Sequence, residues 1–288
     1  MIKELADKHK GRVLDKWESY LNTYDSILKP YQEKRLSILE IGVANGGSLD
    51  LWAEYFPNAK NIVGCDINKE CGDLKYDDPR ISVVVGDVNE LTTFAEIQKI
   101  AETYDIIIDD GSHLCPDVIK TFALYFPLLN YNGLYIVEDL HTSYWNGSSG
   151  GLHTPLSSMA FFKRLADIPN VEHWRIKRKG KEYLKCFEQY YGIEFDEGEL
   201  DTIHSITFTN SMVVINTQFP THNKLGKRMV RGNDEHIMPN LLVMNGRVVS
   251  EVKNQAIDDW QYDPIAMINR INQLSNREQD ESVKEINV

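Results

Sequence analysis

Two pairs of adjacent carboxylates, Asp109-Asp110 and Glu138-Asp139, each stand at the end of a short apolar run. Acids gathered at one place repel and raise one another's pKa values, and a bound divalent cation relieves the repulsion. An all-oxygen set suits Mg²⁺, Mn²⁺ or Ca²⁺ better than zinc. Alternate residues of a strand face opposite ways, so only some of the four can reach one ion. His113 follows Asp110 by three residues, in Asp-Asp-Gly-Ser-His. Imidazole ordinarily titrates near neutrality and can take a proton from a hydroxyl beside such a site.

Two further acids close earlier apolar runs. Asp66 is placed to accept hydrogen bonds from both hydroxyls of a ribose, and Asp87, after Gly86, stands within reach of an adenine or its linker. Upstream lies the turn Glu40-Ile41-Gly42-Val43-Ala44-Asn45-Gly46-Gly47. Glycine lets the backbone approach a ligand closely, and a helix N-terminus beyond it offers free N–H groups. The turn is not the dinucleotide fingerprint G-x-G-x-x-G, because Ala44 stands at the second glycine.

Short apolar runs at 37–41, 61–66, 81–85, 104–108 and 133–137 alternate with helix-compatible segments at 48–56, 91–103 and 116–126. That alternation predicts repeated βα units and a parallel sheet, with every acid named above at the carboxyl edge, where ligands bind in such sheets. Residues 1–35 read as one or two short helices carrying Trp17, Tyr20, Tyr24 and Tyr31. Residues 146–151 read as a loop, 157–165 as a helix, and 203–208 with 211–217 as a hairpin turning at Thr209-Asn210. Beyond Pro220 the pattern is less regular, and 276–288 is polar enough to be disordered.

The stretch Leu39–Asp66, the Asp-Asp-Gly-Ser-His at 109–113 and the Val-Glu-Asp-Leu-His-Thr-Ser-Tyr-Trp at 137–145 together resemble a known family. It is the metal-dependent class I S-adenosylmethionine O-methyltransferases that act on sugars of macrolides and related glycosides. The resemblance runs from about Asp15-Lys16-Trp17 to Phe219 and includes Gly-Gly-Ser-Leu at 46–49. It implies a Rossmann-like α/β fold with a seven-stranded, mostly parallel sheet and an antiparallel edge hairpin. It further implies that Glu40, Gly42, Gly46, Asp66, Asp87 and Asp109 hold S-adenosylmethionine, that Asp110, Glu138 and Asp139 bind Mg²⁺ or another divalent cation, and that His113 is the catalytic base. The implied acceptor is a hydroxyl of a sugar or of a glycosylated or nucleotide-linked metabolite, and a homo-oligomer is plausible. The expected organisation is a helical extension over 1–35, a catalytic domain over 36–219 and a C-terminal extension over 220–288, with 1–30, 145–160 and 220–260 shaping the acceptor pocket.

Composition limits the remaining choices. With 31 Lys+Arg against 43 Asp+Glu, the net charge of −12 argues against nucleic-acid and anionic-membrane partners. The N-terminus lacks the apolar core of a signal peptide, and Cys65, Cys71, Cys115 and Cys186 form no C-x-x-C pair, so a cytoplasmic protein with reduced thiols is expected. The basic run Arg175, Lys177, Arg178, Lys179, Lys181 and Lys185 reads as a solvated face or, alternatively, as a contact for an anionic acceptor. His141, His153 and His204 read as surface or packing histidines. Other readings are the same fold acting on a phosphorylated, phenolic or antibiotic scaffold, a nicotinamide-dependent oxidoreductase, and a non-catalytic binding protein. The missing fingerprint and the carboxylate cluster count against the oxidoreductase, and the intact set of acids with His113 counts against the non-catalytic reading.

Overall fold

Central strands of a parallel sheet are covered on both faces, so they are apolar throughout rather than alternating. The five runs predicted as strands have this character and form β1 (Ser37–Ile41), β2 (Asn61–Asp66), β3 (Ile81–Val85), β4 (Tyr104–Asp109) and β5 (Leu129–Val137) in the computed structural model, which describes residues 1–174 and 178–248. Two more strands, β6 (Ile203–Thr209) and β7 (Met212–Thr217), make the expected hairpin. The seven strands lie in the order β3-β2-β1-β4-β5-β7-β6, with β1 to β5 parallel and β7 antiparallel to both neighbours. The fold is the seven-stranded, Rossmann-like α/β architecture that the sequence suggested.

Helices α1 (Ile2–Lys8), α2 (Glu18–Leu28) and α3 (Gly47–Tyr55) cover one face, where Ile38, Ile106, Ile108 and Ile136 meet Tyr24 and Trp52. Helices α4 (Leu91–Ile100), α5 (Cys115–Tyr125) and α6 (Ser158–Leu165) cover the other, around Leu39, Ile107, Val137 and an aromatic cluster centred on Phe122. Ser157 caps α6 by accepting a hydrogen bond from Ala160 N at 3.2 Å.

Register decides where the chemistry falls. Ile41 pairs with Cys65 on one side and Asp109 on the other, and Asp109 pairs with Val137. Gly42, Asp66, Asp110 and Glu138 therefore stand side by side on one rim. Strand alternation then sorts them: Glu40, Asp110 and Glu138 continue the face of Ile38, Ile108 and Ile136, towards α2, whereas Asp109 continues the face of Ile107, towards α5.

Three details differ from the sequence reading. Strand β5 begins at Leu129, four residues early, with Asn132 in a left-handed conformation. The hairpin turns at Asn210-Ser211 rather than Thr209-Asn210, Ser211 taking the positive φ of 68°. Short helices α7 (Gly180–Tyr183), α8 (Lys185–Tyr191) and α9 (Glu197–Leu200) fill a stretch for which no element was expected. The expected disorder of 276–288, and most of the 220–288 extension, lies outside the described residues. No helix among the described residues is long and apolar enough to cross a membrane.

Candidate functional site

The turn after β1 depends on two glycines. Gly42 has φ +91°, and a Cβ there would lie 2.0 Å from the Asp110 carbonyl oxygen, so only glycine lets β1 and β4 end so close together. Gly46, at φ +83°, caps α3. Between them Val43 and Ala44 donate their N–H groups to one oxygen of Asp66, at 2.8 and 2.9 Å, while Asn68 N donates to the other at 2.8 Å. The carboxylate that ends β2 thus ties the turn down. Ala44 itself has φ +46°, which costs a non-glycine residue about 1–2 kcal/mol.

Above this turn opens a cleft of about 700 Å³ whose walls include Gly42, Asp66, Asp87 and Asp109 from the expected cofactor set. Glu40 and Gly46, expected with them, do not line it. Glu40 is fully buried and accepts hydrogen bonds from Ser48 Oγ at 2.6 Å and Lys16 Nζ at 3.2 Å. Asp109 is 3% exposed, and its Oδ2 has no hydrogen-bond partner among the described residues. Burial pushes its carboxyl up to about 7.

Asp110, His113 and Asp139 come together at one end of the cleft, with their ligand atoms all within 4.8 Å of one another. His113 Nε2 lies 3.5 Å from Asp139 Oδ2 and 3.9 Å from Asp110 Oδ1. His113 and Asp139 both adopt left-handed backbone conformations, φ +57° and +53°. Strained non-glycine residues of this kind gather where function requires a geometry that relaxed packing would not choose.

Glu138, expected as a third carboxylate beside Asp110 and Asp139, lines the same cleft but lies outside that three-residue group. Its Oε1 accepts from Lys16 Nζ at 2.8 Å and from Tyr24 Oη at 2.5 Å. Lys16 is the residue that sequence reasoning missed. Only 2% of its side chain is exposed, and its ammonium touches Glu40, Asp110 (2.6 Å) and Glu138, which end β1, β4 and β5. Burial pulls its pKa down, but the three carboxylates outweigh burial and raise it well above the usual value, so the ammonium stays charged. Burial conversely pushes the Glu138 carboxyl up, with Lys16 opposing.

Helix α2 and Trp17, the residue just before it, supply the rest of this surround. Trp17 Nε1 and Tyr20 Oη both donate to Asp139 Oδ1, at 2.9 and 2.8 Å. Tyr20 Oη also lies 2.7 Å from Ser211 Oγ in the hairpin turn. Trp17, Tyr20 and Tyr24 follow one another at helical spacing on one face, a signal present in the sequence though not used for the site. His141, read as a surface or packing histidine, packs beside this cluster, its Nδ1 2.5 Å from Ser211 Oγ and 3.8 Å from Asp139 Oδ1. Of the basic run, Arg175 and Lys177 lie outside the described residues, and Lys181 pairs with Glu194 at 2.6 Å.

Known proteins similar to this chain include the 8-demethyl-8-alpha-L-rhamnosyl tetracenomycin-C 2'-O-methyltransferase of Streptomyces olivaceus, 36% identical over 163 residues, which are 53% of this chain and 42% of the relative. The mycinamicin VI 2''-O-methyltransferase of Micromonospora griseorubida is 37% identical over 134 residues, 44% of this chain and 33% of the relative. Among solved structures, the MycE methyltransferase from the mycinamycin biosynthetic pathway, in complex with Mg, SAH and mycinamycin VI, superposes with a TM-score of 0.60 at 25% identity, covering 76% of this chain and 55% of that one. The two relatives are O-methyltransferases of the kind the motifs resemble. The matches to the two relatives span less than half of each relative's length. No protein-family model matches the chain.

Proposed function

We propose that this chain transfers a methyl group from S-adenosylmethionine to a hydroxyl of a sugar-containing acceptor, assisted by a divalent cation. The observation that carries the reading is the convergence of Asp110, His113 and Asp139 at the end of a cleft that Asp66 and Asp87 also line. The similarity to sugar O-methyltransferases supports it.

The residues fit both missing groups. Three carboxylates, Glu40, Asp110 and Glu138, surround one ammonium, Lys16, and a fourth, Asp139, shares a cluster with Asp110 and His113, an excess of negative charge that a dication would balance. The unpartnered Oδ2 of Asp109 faces the need of an α-ammonium. When bound, the cation stabilises an oxygen that is losing its proton, and the cofactor supplies an electrophilic methyl on a sulfonium.

Asp110 and Asp139 would hold the cation. Glu138, whose Oε1 is taken by Lys16 and Tyr24, would join them through its other oxygen. Asp66 would accept from the ribose hydroxyls, Asp87 would face the adenine, and Asp109 would accept from the methionine ammonium. Gly42 lets the backbone lie close beneath. Glu40 and Gly46 would act at one remove, by fixing Lys16 and the start of α3. His113 Nε2 would receive the acceptor's proton, and the methyl carbon would pass from sulfur to the acceptor oxygen, the electron pair of the broken bond staying on sulfur. The cleft walls hold the two reactants in line.

Formation of S-adenosylhomocysteine, followed by mass with Mg²⁺ and a panel of glycosides, tests the proposal. His113→Ala and Asp110→Ala are each expected to lower kcat by roughly 10²-fold or more while leaving the thermal shift produced by S-adenosylhomocysteine unchanged. Full turnover in either variant would refute the assigned roles.

A further inference from the structure

Ser211 turns the β6–β7 hairpin at the antiparallel edge of the sheet and belongs to neither acidic motif, at 109–113 or at 137–145. It nevertheless reaches the surround of Asp139. Its carbonyl oxygen accepts from Leu140 N at 2.9 Å, and its hydroxyl oxygen accepts from His141 N at 3.3 Å. The same hydroxyl oxygen lies 2.5 Å from His141 Nδ1 and 2.7 Å from Tyr20 Oη. One residue of the hairpin thus joins helix α2 to the turn that carries Asp139.

Counting protons gives these contacts a direction. Tyr20 has one phenolic proton, and its bond to Asp139 Oδ1 at 2.8 Å uses it. Tyr20 Oη can then only accept, from Asp139 N at 3.0 Å and from the Ser211 hydroxyl. With its own proton given to Tyr20, Ser211 Oγ accepts from His141, which places the ring proton on Nδ1. The hydroxyls form a chain that ends on one oxygen of Asp139, each bond polarising the next. Asp139 needs such support. Its φ of +53° is left-handed, and a non-glycine residue keeps that conformation only where its surroundings over-determine it. Ser211 is itself held at φ +68°, so two strained residues meet on one bonded chain.

We infer that Ser211 is a positioning residue for the metal site: acting through Tyr20, it fixes the Asp139 carboxylate so that Oδ2 is left to face a divalent cation. The inference rests on the proposed metal-assisted transfer and adds to it a residue that acts only through another. Two points favour it. Trp17 Nε1 and Tyr20 Oη both hold Asp139 Oδ1, whereas Oδ2 points to the side of His113, whose Nε2 lies 3.5 Å away. The carbonyl of Ser211 already fastens the hairpin to the sheet through Leu140 N, so its hydroxyl is not needed for that and is spent on Tyr20 and His141. Groups that orient a metal ligand without touching the ion alter metal affinity by roughly 10- to 100-fold when removed.

Metal binding is measured on the full chain without acceptor, so that it does not depend on turnover. The probe is Mn²⁺, followed by loss of the EPR signal of the free aquo ion and displaced by Mg²⁺. Ser211→Gly accepts the positive φ without strain and keeps the carbonyl bond to Leu140, so it removes the hydroxyl alone. It is expected to weaken Mn²⁺ about tenfold, without lowering the melting temperature of the metal-free chain or changing the thermal shift given by S-adenosylhomocysteine. Tyr20→Phe should weaken Mn²⁺ by a similar factor, and the double variant no further than the weaker single one, because both act on one chain of bonds. Unchanged Mn²⁺ affinity in Ser211→Gly would overturn the inference and leave Ser211 as a fastening of the hairpin. Losses that multiply in the double variant would overturn it too, whatever the melting temperature does. If the wild type holds no Mn²⁺, the metal site falls and this inference with it. Mn²⁺ bound with the expected pattern among the variants, but no methyl transfer, would count against the activity and not against Ser211.

Discussion

Lys16 shows at the scale of single residues how the site is held together. Its ammonium, buried among Glu40, Asp110 and Glu138, is the cation on which three strand ends converge. Removing one partner of a buried ion cluster leaves the others uncompensated, at a cost of roughly 3–5 kcal/mol. Lys16→Ala is therefore expected to unfold at markedly lower denaturant, and Mg²⁺ to stabilise it more than it stabilises the wild type; chemical denaturation with and without the metal measures both. Asp109 makes a second residue-level prediction, for pH. Its carboxyl is held at about 7, above the ordinary carboxylate range, by burial. A raised value means that the folded chain binds the proton more tightly than the unfolded one. The resulting stability is complete below the unfolded value near 4 and is lost as pH rises through about 7. Asp109→Asn should remove roughly 2 kcal/mol of the decline between pH 5 and 8, seen as a flatter urea midpoint. Glu138, also raised by burial, keeps part of the slope. Lys16 falls within the resembling stretch, but its role was not readable in the sequence, because its partners lie up to 122 residues away and only the closed sheet brings them to it.

Elements explain what was readable. Strands β1 to β5 were legible because a parallel strand covered on both faces must be apolar throughout, and the acids that end them were legible because that run stops abruptly. Strand alternation, known in principle from the sequence, could not say which of Asp109, Asp110, Glu138 and Asp139 face together until register was fixed. The N-terminal helices read as an appendage, yet α2 presents Tyr20 and Tyr24 to Asp139 and Glu138, because its aromatic face packs where the strand ends need donors. Short helices α7 to α9 carried too few residues for a periodic signal. The turn between β1 and α3 yields its own prediction. Ala44 is held at φ +46° by the bond from its N–H to Asp66. Ala44→Gly should raise stability by up to about 1 kcal/mol without changing the thermal shift given by S-adenosylhomocysteine; a loss of stability would show that the left-handed turn is not strained.

For the whole molecule, the net charge of −12 turns out to be partly a local matter. Acids at neighbouring strand ends are kept close by one buried lysine and by donors from α2, and the sheet gives them a common rim beside a cleft. Its seven-stranded topology is shared with the MycE methyltransferase, which covers this chain well while extending far beyond it. Both groups proposed to bind at the rim carry positive charge, the dication and the sulfonium, so the acidity of the edge favours each of them. The most direct test is the rate of S-adenosylhomocysteine formation from S-adenosylmethionine and a glycoside acceptor, measured before chelation, after chelation and after Mg²⁺ is restored. Metal-assisted methyl transfer at Asp110 and Asp139 predicts a fall of roughly 10²-fold or more on chelation and recovery with Mg²⁺. An unchanged rate after the metal is removed would contradict it.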